Sequence, residues 1–228
     1  LSHEEDAIAS RVFAHLDNAG LSPKRSDNNV WVTLGAPDDR GPNLLLNSHL
    51  DVVPPSTDHP YPPFEGRVVD GAVYGRGTVD AKASGTAMLR TLLELHAEGW
   101  SPAAGSVTVA LTACEEVGGD YNGLQRTRPL LPPPDAALVG EPTELQPCVS
   151  QKGLLILKAH ARGKTAHAAR AHLGENALYM AARDLQRIAF MRFERGDPHL
   201  GYPTISATRI EGGTANNVIP DHCTFVLD

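Results

Sequence analysis

The stretch Asn43-Leu44-Leu45-Leu46-Asn47-Ser48, followed at once by His49-Leu50-Asp51, decides the fold class. An apolar run of strand length that stops at ionisable residues reads as a central strand whose far end opens on a ligand site. Two further runs match it. Ser106 to Ala113 ends at Cys114-Glu115-Glu116, and Asp135 to Val139 ends at Gly140-Glu141-Pro142. Such strands need helices to cover them. One helix, over roughly residues 3 to 19, is signalled by the capping-box pattern Ser2-x-x-Glu5, by Ile8, Val12, Phe13 and Leu16 at helical spacing, and by Gly20 as a stop. A second is opened by Asp80, carries Met88, Leu89, Leu92, Leu93 and Leu95, and is closed by Gly99. Val30 to Leu34 is a further strand, and Arg67 to Tyr74 is a hairpin about Asp70-Gly71, reached through a Pro-rich loop from Pro54 to Pro63. Strands alternating with helices predict an α/β fold with a mostly parallel sheet.

The pattern changes after Glu141-Pro142-Thr143. From about Gln151 the order is strand (Leu154 to Ala161), helix (Glu175 to Phe190), strand (Thr204 to Glu211), loop and strand (from Cys223), without the very apolar runs seen before. Residues 1–150 are therefore expected to form the α/β domain and residues 151–228 a separate α+β domain. The 228 residues are 41% hydrophobic but only 5% aromatic, so both cores must be built from aliphatic side chains.

Composition excludes several functions. Twenty Lys and Arg against 27 Asp and Glu give a net charge of −7, which offers no general attraction to nucleic acid or to an anionic membrane. No apolar run approaches membrane-span length. Cys114, Cys148 and Cys223 are widely spaced and odd in number, which fits neither a disulfide framework nor a thiolate zinc site, and a reducing cytoplasm is the expected location. Gly163-Lys164-Thr165 lacks the glycine a phosphate loop needs, since Lys158 stands in its place, and there is no Gly-x-Ser-x-Gly elbow, His-Glu-x-x-His or Rossmann glycine pattern.

Ligands of open parallel sheets bind at the carboxyl ends of strands. There the sequence places His49, Asp51, Asp80, Glu115, Glu116 and Glu141, five carboxyl groups and one imidazole. Each is plain by itself: Asp80 reads as a helix N-cap, Glu115-Glu116 as a solvated loop, and His49-x-Asp51 as a chance triplet. Gathered in one cleft, like charges repel and raise one another's pKa unless a cation neutralises them. The donor set suits Zn²⁺, Co²⁺ or Mn²⁺, and the carboxylate count exceeds the needs of one ion. Two ions sharing a bridging carboxylate would use it, with adjacent Glu115 and Glu116 dividing the tasks of base and ligand.

An ordered set of motifs adds to this reading. Asn47-Ser48-His49-Leu50-Asp51, Gly75-Arg76-Gly77-Thr78-Val79-Asp80-Ala81-Lys82, Cys114-Glu115-Glu116, Gly140-Glu141-Pro142-Thr143, Gly163-x-x-x-His167 and Asn217-Val218-Ile219-Pro220-Asp221 resemble those of the M20 dinuclear metallopeptidases and deacylases. The resemblance implies a metallopeptidase catalytic domain with an inserted ferredoxin-like lid and dimerisation domain, and two divalent ions, zinc, cobalt or manganese. It implies that His49 and Glu141 bind one metal, that Asp80 bridges, and that Glu116 binds the other. Glu115 would be the general base and Asp51 would orient the His49 ring. His167 and Asn217 match lid residues that reach an active site, often across a dimer, to hold substrate and oxyanion.

Glu141-Pro142-Thr143-Glu144-x-Gln146-Pro147, Gln151-Lys152-Gly153-Leu154, His167-Ala168-Ala169-Arg170 and Cys223-Thr224-Phe225-Val226 are most similar to the acetylornithine deacetylase branch. That branch implies hydrolysis of an N-acyl amino acid, N-acetylornithine, in arginine biosynthesis, by a homodimer. The alternatives are an acetyl-lysine or succinyl-diaminopimelate deacylase, a dipeptidase on the same site, or an inactive binding or dimerisation module. Members of the family take the second metal's last His ligand, and an Arg for the substrate carboxylate, from segments without a counterpart here. The expectation is therefore that both domains are incomplete and that the chain is a fragment.

Overall fold

A computed structural model describes residues 1–37 and 41–228. These divide into two units, residues 1–146 and 147–228. The first is built on a five-stranded sheet of order β1-β2-β6-β3-β7, made of β1 (Lys24–Ser26), β2 (Asn29–Ala36), β3 (Asn43–His49), β6 (Gly105–Thr112) and β7 (Ala136–Val139). The hairpin β4 (Arg67–Val69) and β5 (Ala72–Tyr74) stands apart from it. The sheet is mixed rather than mostly parallel. Strands β6, β3 and β7 run parallel, but β2 is antiparallel to β6 and β1 to β2. The cause is local: Asp27, at positive φ, turns the chain back from β1 into β2, and no helix separates the two.

Strands β3 and β6 lie inside the sheet as their apolar runs predict, whereas β7, expected as a central strand, is its edge strand and all four of its residues are exposed. Seven of the eight residues of β6 are buried, including Val109, Ala110 and Leu111. Helix α1 (Asp6–Asn18) lays Ala9 and Leu16 on Val30, Val32, Val109 and Leu111, and α2 (Lys82–Ala97) adds Met88 and Leu92 to the same cluster. Trp31, Leu45, Ala110 and Leu131 form a second cluster. Burying a Leu or Val side chain stabilises by about 1.5–3 kcal/mol, so these clusters hold the strand ends in place. Gly85 lets α2 approach closely, because a Cβ there would stand 3.2 Å from Leu111 Cδ2 and 3.5 Å from the Ser48 side chain.

Helix α1 begins three residues later than the capping-box reading places it. Glu5 is the N-cap residue and no side chain caps the helix. The Ser2 hydroxyl and the Glu5 carboxylate are spent elsewhere, on Asp51 and on the Cys114 amide. Helix α2 likewise starts at Lys82 without a side-chain cap, because Asp80 is turned to His49.

In the second unit β8 (Leu157–Arg162), β10 (Ala207–Gly212) and β12 (His222–Leu227) form an antiparallel sheet of order β10-β12-β8. Helix α4 (Ala177–Ala189) packs Ala177 and Ala181 against Ala161, Cys223, Phe225 and Leu227. Its N-cap Asn176 accepts from the amides of Leu178 and Tyr179. The main elements of this unit thus follow in the order β-α-β-β. The two-residue strands β9 (Ala166–His167) and β11 (Val218–Ile219), which no periodicity announces, pair antiparallel. Among the described residues no helix is long and apolar enough to cross a membrane.

Candidate metal centre

The end of β3 supplies the centre's imidazole. His49 is 2% exposed, with Nδ1 3.1 Å from the Asp51 backbone oxygen and 3.3 Å from Asp51 Oδ1. Its Nε2 lies 2.9 Å from Asp80 Oδ1 and 3.8 Å from Glu141 Oε2. A His whose Nδ1 faces an acceptor presents Nε2 as the metal-binding nitrogen. Ligand atoms of His49, Asp80 and Glu116 lie within 4.8 Å of one another, a spacing suited to a shared cation. Asp80 follows the hairpin at the foot of α2, Glu116 follows β6, and Glu141 follows β7, so three parallel strands and one helix converge on the group.

Asp51 is 1% exposed and is tied into the loop after β6. The amides of Glu115 and Glu116 donate to its Oδ1 and Oδ2, each at 3.1 Å, and the Ser2 hydroxyl donates to Oδ2 at 2.7 Å. The side chain of Glu115 is exposed and that of Glu116 half-buried.

The electrostatics are those of an acidic cluster short of positive charge. Burial pushes the Glu116 carboxyl up, and the negative charge of Asp80 adds to the shift. Burial also raises Glu141, helped by the charges of Glu115 and Asp80 against the pull of His49. For His49 burial acts downward, but its contacts with Asp51 and Asp80 and the charge of Glu141 outweigh it, and the pKa is raised to about 9. For Asp51 burial acts upward and is overcome by His49, Ser2 and the two amides, which hold the carboxyl well below the usual range. One imidazole and several carboxylate oxygens, destabilised as anions and gathered within ligand distance, fit a divalent cation of the zinc, cobalt or manganese kind.

Several residues of the centre carry no signal in a linear reading. Ser48 and Ser84 each donate to the carbonyls of Ala81, at 3.0 and 2.8 Å, and of Gly140, at 3.2 and 2.9 Å, which fixes the backbone beside Asp80 and Glu141. Lys82 Nζ donates to the Leu50 carbonyl at 2.9 Å, and burial lowers its pKa despite the nearby Asp51, Asp80 and Glu116. The polar Asn47-Ser48 step inside an apolar strand was the available hint for Ser48. His167 and Asn217 belong to the second unit, where both are exposed. There β9 and β11 pair His167 with Val218, and the Ala168 amide donates to the Asn217 carbonyl at 2.8 Å, so the two residues are neighbours.

Comparison with known proteins agrees with this geometry. Residues 45–203 match the model of Peptidase family M20/M25/M40. A succinyl-diaminopimelate desuccinylase of Rhodospirillum centenum is 34% identical over 205 residues, covering 85% of this chain and 52% of that protein. One from Corynebacterium glutamicum is 33% identical over 230 residues, covering 96% and 59%. The chain thus spans somewhat over half the length of these curated relatives. Among solved structures, an M20 family metallo-carboxypeptidase from Sulfolobus solfataricus has the same fold, with a TM-score of 0.65 at 16% identity over 98% of this chain and 65% of that one. The matched segment runs from β3 into the second unit and takes in His49, Asp80, Glu116 and Glu141, and on it the chain belongs to peptidase family M20/M25/M40.

Proposed function

We propose that the protein is a metal-dependent amidohydrolase that cleaves the amide bond of an N-acyl amino acid. The observation that carries this reading is the convergence of His49, Asp80 and Glu116 at the strand ends, with Glu141 beside them and Glu115 next in sequence to a ligand. In the proposed centre His49 and Glu141 would hold one divalent ion, Glu116 would hold another, and Asp80 would serve both. When bound, such a pair would acidify a water and polarise the acyl carbonyl. Glu115 takes the proton of the attacking water and passes it to the leaving amine, a role its exposed side chain leaves it free to perform. Asp51 fixes the ring of His49. In this reading residues 1–150 are the catalytic domain and residues 151–228 a lid domain, whose His167 and Asn217 would contact the substrate and stabilise the developing oxyanion.

For the substrate, relatives named succinyl-diaminopimelate desuccinylase, at 31–34% identity, favour a succinylated diamino acid and lysine biosynthesis. N-acetylornithine is the second reading, carried by the similarity of Glu141-Pro142-Thr143-Glu144 and His167-Ala168-Ala169-Arg170 to the acetylornithine branch. A cytoplasmic homodimer formed through the lid is part of the same proposal. The test is hydrolysis by the complete protein of succinyl-diaminopimelate, N-acetylornithine, acetyl-lysine and a dipeptide, with Zn²⁺ or Co²⁺ and again after chelation. Chelator-sensitive turnover fastest on the succinylated substrate is the expected result. Fastest turnover of acetylornithine would select the second reading, fastest turnover of the dipeptide would make the protein a peptidase, and silence on all with metal bound would leave a binding module.

A further inference from the structure

The segment before α1 does not cap its helix, and its Ser2 and Glu5 side chains reach the loops of the centre instead. Ser2 Oγ stands 2.7 Å from Asp51 Oδ2, across 49 residues of sequence. A turn closed by the Glu4 amide on the Leu1 carbonyl, at 3.0 Å, presents Ser2 to the site. The turn is anchored on its other side by Glu5, a carboxylate only 2% exposed. Glu5 Oε1 accepts from the His3 amide and from the Cys114 amide, each at 3.1 Å, and Oε2 accepts from Asn28 Nδ2 at 3.2 Å. The segment therefore grips two loops of the site: the one after β3, at Asp51 through Ser2, and the one after β6, at Cys114 through Glu5, immediately before Glu115 and Glu116.

An ionised carboxylate only accepts, through about four lone-pair positions. Those of Asp51 are accounted for. Oδ1 faces the Glu115 amide at 3.1 Å and His49 Nδ1 at 3.3 Å, and Oδ2 faces the Glu116 amide at 3.1 Å and the Ser2 hydroxyl at 2.7 Å. Two of these partners belong to the loop after β6, and the third, His49, closes β3. Ser2 alone ties the carboxylate to α1, whose Ala9 and Leu16 are locked in the core. The Ser2 contact is also the shortest of the four, as expected of a hydroxyl donating to a charged oxygen. Groups that hydrogen-bond the partner of a metal-binding imidazole fix its ring and raise its affinity for metal.

Resting on the metal-centre reading above, we infer that Ser2 is a positioning residue of the metal centre, holding Asp51, and through it the His49 ring, in the orientation that binds the cation. The inference is tested with Co²⁺, whose visible absorption reports ligand geometry, on the complete protein and its Ser2→Ala and Ser2→Thr variants. Ser2→Ala is expected to weaken Co²⁺ binding by about tenfold, at the low end of what is found for groups one step closer to a metal, and to alter the absorption envelope. Ser2→Thr, which keeps the hydroxyl, restores both, while the thermal midpoint of the metal-free protein stays close to that of the parent in each case. Wild-type affinity and spectrum in Ser2→Ala would overturn the inference, whatever the thermal midpoint, and so would a loss of affinity that Ser2→Thr fails to repair. A parent protein that takes up no Co²⁺ would instead overturn the metal-centre reading, and this assignment with it.

Discussion

At the scale of single residues the account turns on carboxylates with different tasks in one cleft. Glu115→Gln removes the proton carrier and keeps the size and the backbone amide that donates to Asp51. Turnover is expected to fall by roughly 10²–10⁴ with metal content unchanged, by activity and metal analysis of the same preparation. Loss of metal instead would make Glu115 a ligand. His49 sets the pH dependence. In the metal-free protein its protonated form is favoured up to about 9, against 6.5 for the free side chain, whereas a ligand imidazole must be neutral. The imidazolium contacts thus stabilise the metal-free fold below pH 6.5 and are lost as pH rises through 9, and metal binding has the opposite sign because it must displace that proton. Apparent metal affinity should climb between pH 6.5 and 9, and a flat profile in titrations across that window would contradict the proton linkage. The candidate ligands could be read from sequence because strand ends carry His49, Glu116 and Glu141 and the start of α2 carries Asp80. Ser2, Ser48 and Ser84 could not, since each makes a contact 33 to 92 residues away that leaves no periodic trace.

At the scale of elements, long apolar strands and helices were legible and short or polar ones were not. Strands β3, β6 and β7 and helices α1, α2 and α4 each follow from a run or spacing of apolar residues. Strand β1, of sequence Lys-Arg-Ser, has no such pattern, and missing it hid the antiparallel edge that makes the sheet mixed. The capping-box reading of Ser2-x-x-Glu5 failed for a physical reason: long-range acceptors and donors at Asp51 and Cys114 competed for the side chains and won. The junction after β7 shows how tightly elements position ligands. A Cβ at Gly140 would stand 2.6 Å from Ser84 Cβ and 2.9 Å from Met88 Cε. Gly140→Ala should therefore displace Glu141 and the Ser84 contact together, lowering metal affinity as well as the thermal midpoint, as metal titration and thermal unfolding would show. A variant with parental affinity would mean that Glu141 is placed by other contacts.

At the scale of the whole molecule, two units share one chain. The ionisable cluster at the strand ends lies wholly within residues 1–146, while His167 and Asn217 are carried by residues 147–228. In the proposed reading the first unit holds the metal and the second contacts the substrate. The most direct test of the centre is the divalent metal content of the complete protein and of its Asp80→Ala variant. The account predicts two ions per chain in the parent and the loss of both in Asp80→Ala, because the bridging carboxylate serves each. An unchanged metal count in Asp80→Ala would contradict it.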